Sequence, residues 1–81
     1  MKINNEERVI AKGLNPPGPL LIVKKKVRSM QGGNLRVIVS NQEAADELIE
    51  YFRERSAEAE IDRAGDDFHV VVNLANFKDE G

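Results

Sequence analysis

The chain has 81 residues, with 12 Lys and Arg against 14 Asp and Glu, 41% hydrophobic residues, no Cys, no Trp and four aromatics. Folding at this length hides only about 60% of the unfolded chain's surface, which limits the molecule to one small two-layer domain without a large enclosed active site. Without Cys there is no disulfide, thiolate nucleophile, Cys-ligated zinc or iron–sulfur cluster, and a lone His69 excludes a multi-histidine metal site within one chain, so neither metal nor cofactor is expected.

The net charge of −2 conceals a division along the chain. Residues 1–40 carry eight basic and two acidic residues, a surplus of +6, whereas residues 41–81 carry four basic and twelve acidic, a surplus of −8. The split predicts two solvated helix faces of opposite sign or, less simply, a basic surface for an anionic partner beside an acidic one. Pro19-Leu20-Leu21-Ile22-Val23 is closed by Lys24-Lys25-Lys26, far short of the roughly 20 apolar residues of a membrane span. The N-terminus lacks the apolar core of a signal peptide, so a cytoplasmic protein is expected. One domain is expected over residues 1–81, ordered over about 8–75 and loose at both ends.

Taken in chain order, residues 8–12 read as a short strand stopped by Gly13. Asn15-Pro16-Pro17-Gly18-Pro19 then reads as a helix entrance, because proline is preorganised for a first helical turn, where its missing N–H is not needed. Leu20, Val23, Val27 and Met30 recur at spacings of three and four, the mark of one buried face, with Lys24, Lys25 and Arg28 on the other side. Gln31-Gly32-Gly33 supplies a glycine stop.

Leu35-Arg36-Val37-Ile38-Val39 alternates as a strand. Ser40 and Glu43 have capping-box spacing for a second helix, with Asn41 as the alternative cap. Ala45, Leu48, Ile49 and Phe52 form its buried face, while Glu43, Asp46, Glu47, Glu50 and Glu54 make its exposed face acidic. Residues 57–62 and 68–74 alternate with period two around a turn at Ala64-Gly65-Asp66, which reads as an antiparallel hairpin.

The order βαβαββ predicts an α+β two-layer sandwich: a four-stranded mixed sheet with both helices on one face, since both crossovers share a hand. Val37, Val39, Phe68, Val70, Val72 and Leu74 should then face the helices, and Ile10, Ile38, His69, Val71 and Asn73 should point outward. Ile10, Ile38 and Val71 are read first as scattered surface hydrophobes, with an apolar interface stripe as the second reading.

Gly13-Leu14-Asn15-Pro16-Pro17-Gly18-Pro19-Leu20, followed by Lys25-Lys26-Val27-Arg28-Ser29-Met30-Gln31-Gly32-Gly33, resembles the TusA/SirA/YedF sulfur-carrier family, whose mark is G-L-x-C-P-x-P-L at the start of the first helix. The resemblance continues through the second strand and Ser40-Asn41, and the element order agrees with the family's fold over residues 8–75. It implies a protein in which the motif cysteine carries a persulfide along a sulfur relay. A thiol at a helix N-terminus meets unpaired N–H groups and the positive end of the macrodipole, which stabilises thiolate or persulfide.

Here Gly13, Leu14, Pro17 and Pro19 are kept, but the cysteine position is Pro16, and Ile10 stands where an acidic residue is common. The resemblance therefore implies the fold and not the reaction: no catalytic residue is expected. A non-catalytic interaction or regulatory module is favoured, with a protein partner from a sulfur relay meeting the helix entrance and Lys24, Lys25 and Arg28. A sulfur carrier assisted by a partner's thiol is the alternative. RNA binding through the basic helix ranks below both, because the chain is acidic and its aromatics do not interleave with the lysines. The opposite charges of the two helices add self-association as a further reading. Neither His69 nor the Asp66-Asp67 turn has a nucleophile or base beside it in the sequence, so both are read as structural.

Overall fold

The computed structural model describes residues 6–78. In chain order they form β1 (Glu6–Ile10), α1 (Gly18–Arg28), β2 (Asn34–Val39), α2 (Gln42–Glu54), β3 (Glu58–Ala64) and β4 (Asp67–Asn73). The sheet runs β1-β2-β4-β3. β1 pairs parallel with β2, whereas β4 lies antiparallel to both β2 and β3. The expected α+β two-layer sandwich with a mixed four-stranded sheet is therefore the observed fold, with β4 inserted between the two strands that α2 connects. Of the ends expected to be loose, residues 1–5 and 79–81 lie outside the described residues, whereas Glu6 and Glu7 belong to β1.

Alternation along the strands sorts the core. Leu35, Val37 and Val39 of β2 and Phe68, Val70 and Val72 of β4 are buried on the helix side, beneath Val23 and Val27 of α1 and Leu48 and Phe52 of α2. Ala44 and Ala45 are fully buried, whereas Ile49, expected in the core, is only partly covered.

Several boundaries differ from expectation, the hairpin strands among them, which run over Glu58–Ala64 and Asp67–Asn73. β1 starts at Glu6 and ends at Ile10; Ala11 N–H still donates to Ile38 O at 2.8 Å, but Lys12 leaves the ladder and reaches Asp67 at 3.1 Å. α1 ends at Arg28 rather than at the glycine pair, because Ser29 closes the last turn itself, donating from both its N–H (3.0 Å) and its hydroxyl (2.7 Å) to Lys26 O. α2 is capped by Asn41, whose side chain accepts Ala44 N–H at 2.8 Å, and not by Ser40. In the β3–β4 hairpin Gly65 takes φ +64° at the first of two turn positions, as a type II′ connection requires.

The sheet's other face has no element packed on it among the described residues. The outward set is Ile10, Ile38, His69, Val71 and Asn73 as expected, but Ile38 is buried and His69 and Val71 are half-buried. Arg36 lies half-buried on this face, its guanidinium among the polar side chains of Glu6, His69 and Asp62. Its Nε donates to Glu6 at 3.3 Å and its terminal nitrogen meets His69 Nδ1 at 2.9 Å. A guanidinium can only donate, so Nδ1 accepts and the ring's proton sits on Nε2. The open face thus carries no continuous apolar stripe.

Candidate functional site

The entrance to α1 is built on a turn. Gly13 adopts φ +82°, a region that strains residues with a Cβ, and its N–H donates to Ser40 Oγ at 2.8 Å. Leu14 then folds back against the helix start, its Cβ lying 3.3 Å from where a Cβ on Gly18 would stand. Pro16 is half-buried and Pro17 exposed; the peptide bond between them is cis. Pro17 is the N-cap and its carbonyl accepts Leu21 N–H at 3.0 Å. Pro19 is buried within the first turn.

This helix end is a poor anion cradle. Gly18 N–H is committed to Asn15 O at 2.8 Å and Pro19 has no N–H, so two of the donors that normally face an anion are missing. The macrodipole is intact, and no acidic residue in the first turn offsets it. At Pro16 the chain presents a ring without a nucleophile, an ionisable group or a donor.

Around this point the surface is apolar. Leu14 is 38%, Leu21 60% and Ile22 42% exposed. Further along the helix the surface becomes basic, but the four cations are not equivalent. Lys25 and Arg28 are exposed. Lys24 lies over the Tyr51 ring with Nζ 5.4 Å from its centroid, and Arg55 stacks on the same ring at 4.1 Å. Lys26 pairs with Glu7 at 2.9 Å. Leu21, Lys25 and Arg28, spaced four and three apart, share one outward stripe.

The expected motif residues Gly13, Leu14, Pro16, Pro17 and Pro19 are thus brought together at one end of the molecule, and Lys25 and Arg28 continue from them. Lys24 is engaged between the helices by the Tyr51 ring. Leu21 and Ile22 were not singled out from sequence, although a buried set at Leu20, Val23 and Val27 leaves positions 21 and 22 outside. His69 lies on the opposite sheet face, and Asp67 is taken up by Lys12. No group of three His, Asp or Glu side chains fit to hold a metal occurs among the described residues. None of the described helices is long and apolar enough to cross a membrane.

The family described as Sulfurtransferase TusA matches residues 8–73, which span both helices and all but the outermost strand residues. The chain belongs to the TusA sulfurtransferase family. No curated protein matches it. Among solved structures, the crystal structure of a SirA-like protein from Desulfitobacterium hafniense is similar with a TM-score of 0.73 at 20% sequence identity, covering 82% of this chain and 93% of that one. At that identity the likeness bears on the fold alone. TusA family proteins function in sulfur relay with protein partners. This member has no cysteine anywhere in its sequence.

Proposed function

We propose that this TusA-family chain is a non-catalytic interaction module of a cytoplasmic sulfur relay. It docks on a relay protein through the α1 entrance and the stripe that continues to Lys25 and Arg28, with Lys24 at its margin. The observation that carries this reading is Pro16. It stands where the family's resemblance calls for the carrier cysteine, on a turn and helix that otherwise keep the motif. A persulfide requires a sulfur nucleophile, and the chain's only sulfur is in two methionine thioethers.

What remains at the site is a contact surface. Leu14, Leu21 and Ile22 offer exposed apolar area at the end of the helix, and Lys25 and Arg28 offer charge for an acidic rim. RNA binding finds less support: with Lys24 on Tyr51 and Lys26 on Glu7, too few cations project from α1 to follow a phosphate backbone.

The test is sulfur transfer from a cysteine desulfurase of the same organism, supplied with radiolabelled cysteine. The chain is expected to acquire no label, while Leu21→Asp or Lys25→Glu weakens its binding to the relay protein by about tenfold or more. Persulfide sulfur on the native chain would overturn the reading. Label that reaches the thiol of a partner protein only when this chain is present identifies the assisted carrier instead.

A further inference from the structure

The outer face of the helix layer is divided by charge, and we propose that it is the contact surface of a homodimer whose two-fold axis runs along the helices. Lys25 and Arg28 are exposed on α1, and Glu43, Asp46, Glu50 and Glu54 are exposed on α2. The other charges of the two helices are engaged within the copy. Lys24 lies over Tyr51, Lys26 pairs with Glu7, Arg53 donates to the Ala59 carbonyl of β3 at 3.1 Å, and Arg55 stacks on Tyr51 and reaches Glu54 at 3.9 Å. Among the described residues, Lys25 and Arg28 meet no carboxylate, and Glu43, Asp46 and Glu50 meet no cation. Each helix thus presents charge that its own copy leaves unanswered.

The groove between the helices carries the same imbalance. Leu20, Glu47, Glu50, Tyr51, Glu54 and Arg55 line a cavity of about 220 Å³ there. Half-buried Glu47 has one carboxylate oxygen buried without a hydrogen-bond partner among the described residues, a costly state that the approach of a further cation relieves.

Parallel strands β1 and β2 are each followed by their helix, so α1 and α2 run in the same direction. Lys24 lies against Tyr51 and Leu20 shares the groove with Glu47, each pair 27 residues apart, which sets Lys25 level with the stretch between Glu50 and Glu54. A two-fold axis parallel to the helices lays α1 of one copy over α2 of the other and preserves these levels. Lys25 then meets the other copy's Glu50 and Arg28 its Glu54, each twice by symmetry. On the outer flanks Ile22, 42% exposed, comes level with the other copy's half-buried Ile49 and adds an apolar contact. An axis across the helices would instead stack α1 on α1 and α2 on α2, setting like charges together. A second copy therefore supplies matching charge at the matching height, and only in one orientation.

Size sets the strength. Two helices of 11 and 13 residues, rising about 1.5 Å per residue and each about 10 Å across, give a footprint of roughly 350 Å². A standard interface takes about 800 Å² from each partner, so the dimer belongs to the weak class, with Kd on the order of 0.1–1 mM. Resting on exposed charges, it is also sensitive to salt. The dimer covers Lys25 and so withholds the α1 stripe from the docking proposed above, but it does not rest on that reading: Glu50 lies outside the stripe and tests the dimer alone.

The test is sedimentation equilibrium of the full chain up to about 1 mM, with Lys25→Glu and Glu50→Lys as exposed-site variants. At low ionic strength the wild type should rise toward twice the monomer's mass, and in about 1 M salt it should fall back toward the monomer's. Each variant alone should stay monomeric, because residues 25 and 50 then carry the same sign. An equimolar mixture of the two should dimerise again, since both cross-interface pairs in the heterodimer are of opposite sign. A wild type that remains monomeric, a mass that climbs past twice the monomer's, or association that survives either substitution overturns the proposal. A mixture that fails to associate while both variants are folded by circular dichroism overturns it as well.

Discussion

The Ser40 hydroxyl accepts the backbone N–H of Gly13 at 2.8 Å, joining the turn before α1 to the end of β2 across 27 residues of sequence. The neighbouring Asn41 caps α2. Two adjacent polar residues therefore serve two different elements: one fixes the approach to the family's motif, and the other starts the second helix. This division explains why Ser40, which has capping-box spacing with Glu43, is not the cap.

Alanine at these two positions should separate the roles. Asn41→Ala removes a helix cap and should lower stability by about 1 kcal/mol. Ser40→Ala deletes the acceptor of an exposed N–H that water can replace, and should lower it by about 0.5–1 kcal/mol. Denaturant unfolding measures both, and amide exchange should speed up at Gly13 only in Ser40→Ala.

The segment after β4 is held by packing. Leu74 N–H donates to Gly33 O at 2.8 Å and Lys78 N–H to Arg55 O at 2.8 Å, and between them Phe77 meets Phe52 at 5.8 Å and Tyr51 at 6.3 Å between ring centroids. Phe77 is only partly buried, so Phe77→Ala should cost about 1–2 kcal/mol, less than the roughly 3–5 expected for a fully buried phenylalanine such as Phe52. A loss below about 0.3 kcal/mol in urea unfolding would mean that this segment does not support the aromatic cluster.

Much of the fold was legible because local patterns carry it. The three-four spacing of Val23 and Val27 and the alternation through Val37, Val39, Val70 and Val72 each depend on a single element's period. What escaped was whatever depends on which strands meet. The insertion of β4 between β2 and β3 cannot be read from either strand, and without it nothing places His69 beside Arg36 or Glu60 in line with Arg8. The motif residues from Gly13 to Pro19 gather at one end of the molecule because they are neighbours in sequence, but Lys24 reads as a free cation from sequence alone because its partner ring, Tyr51, belongs to the other helix.

The Arg36 cluster tests whether the open face is held by charge or by covering. The Arg36 side chain is 23% exposed and that of Glu6 18%, so this pair is screened less than the surface bridge between Lys26 and Glu7. Arg36→Ala should cost about 1–2 kcal/mol, as it both uncovers the sheet and deprives Glu6 and His69 of a donor. Arg36→Met keeps most of the apolar stem and should recover about half of that loss. Equal losses in thermal unfolding would assign the whole effect to the guanidinium.

Ser56, just after α2, adopts φ +69° without being glycine, and its N–H donates to Arg53 O at 3.2 Å. A left-handed conformation costs a residue with a Cβ about 1–2 kcal/mol, while glycine loses up to about 1 kcal/mol through its freer unfolded state. Ser56→Gly should therefore raise stability by about 0.5 kcal/mol, read as a higher urea midpoint at unchanged slope.

Placing a thiol at the helix entrance measures how much of the sulfur-carrier environment survives. In Pro16→Cys the new side chain stands before an eleven-residue helix with no acid in its first turn and Lys25, Lys26 and Arg28 further along it. The macrodipole favours the thiolate, so its pKa should fall below the ordinary cysteine value near 8.5. The depression should be modest, because Gly18 N–H is already used by Asn15 and Pro19 lacks one. Alkylation by iodoacetamide as a function of pH reads it directly: at neutral pH the folded variant should react severalfold faster than the same chain in urea, where the helix is gone. A folded-state rate equal to or below the unfolded one would mean that the entrance does not stabilise an anion.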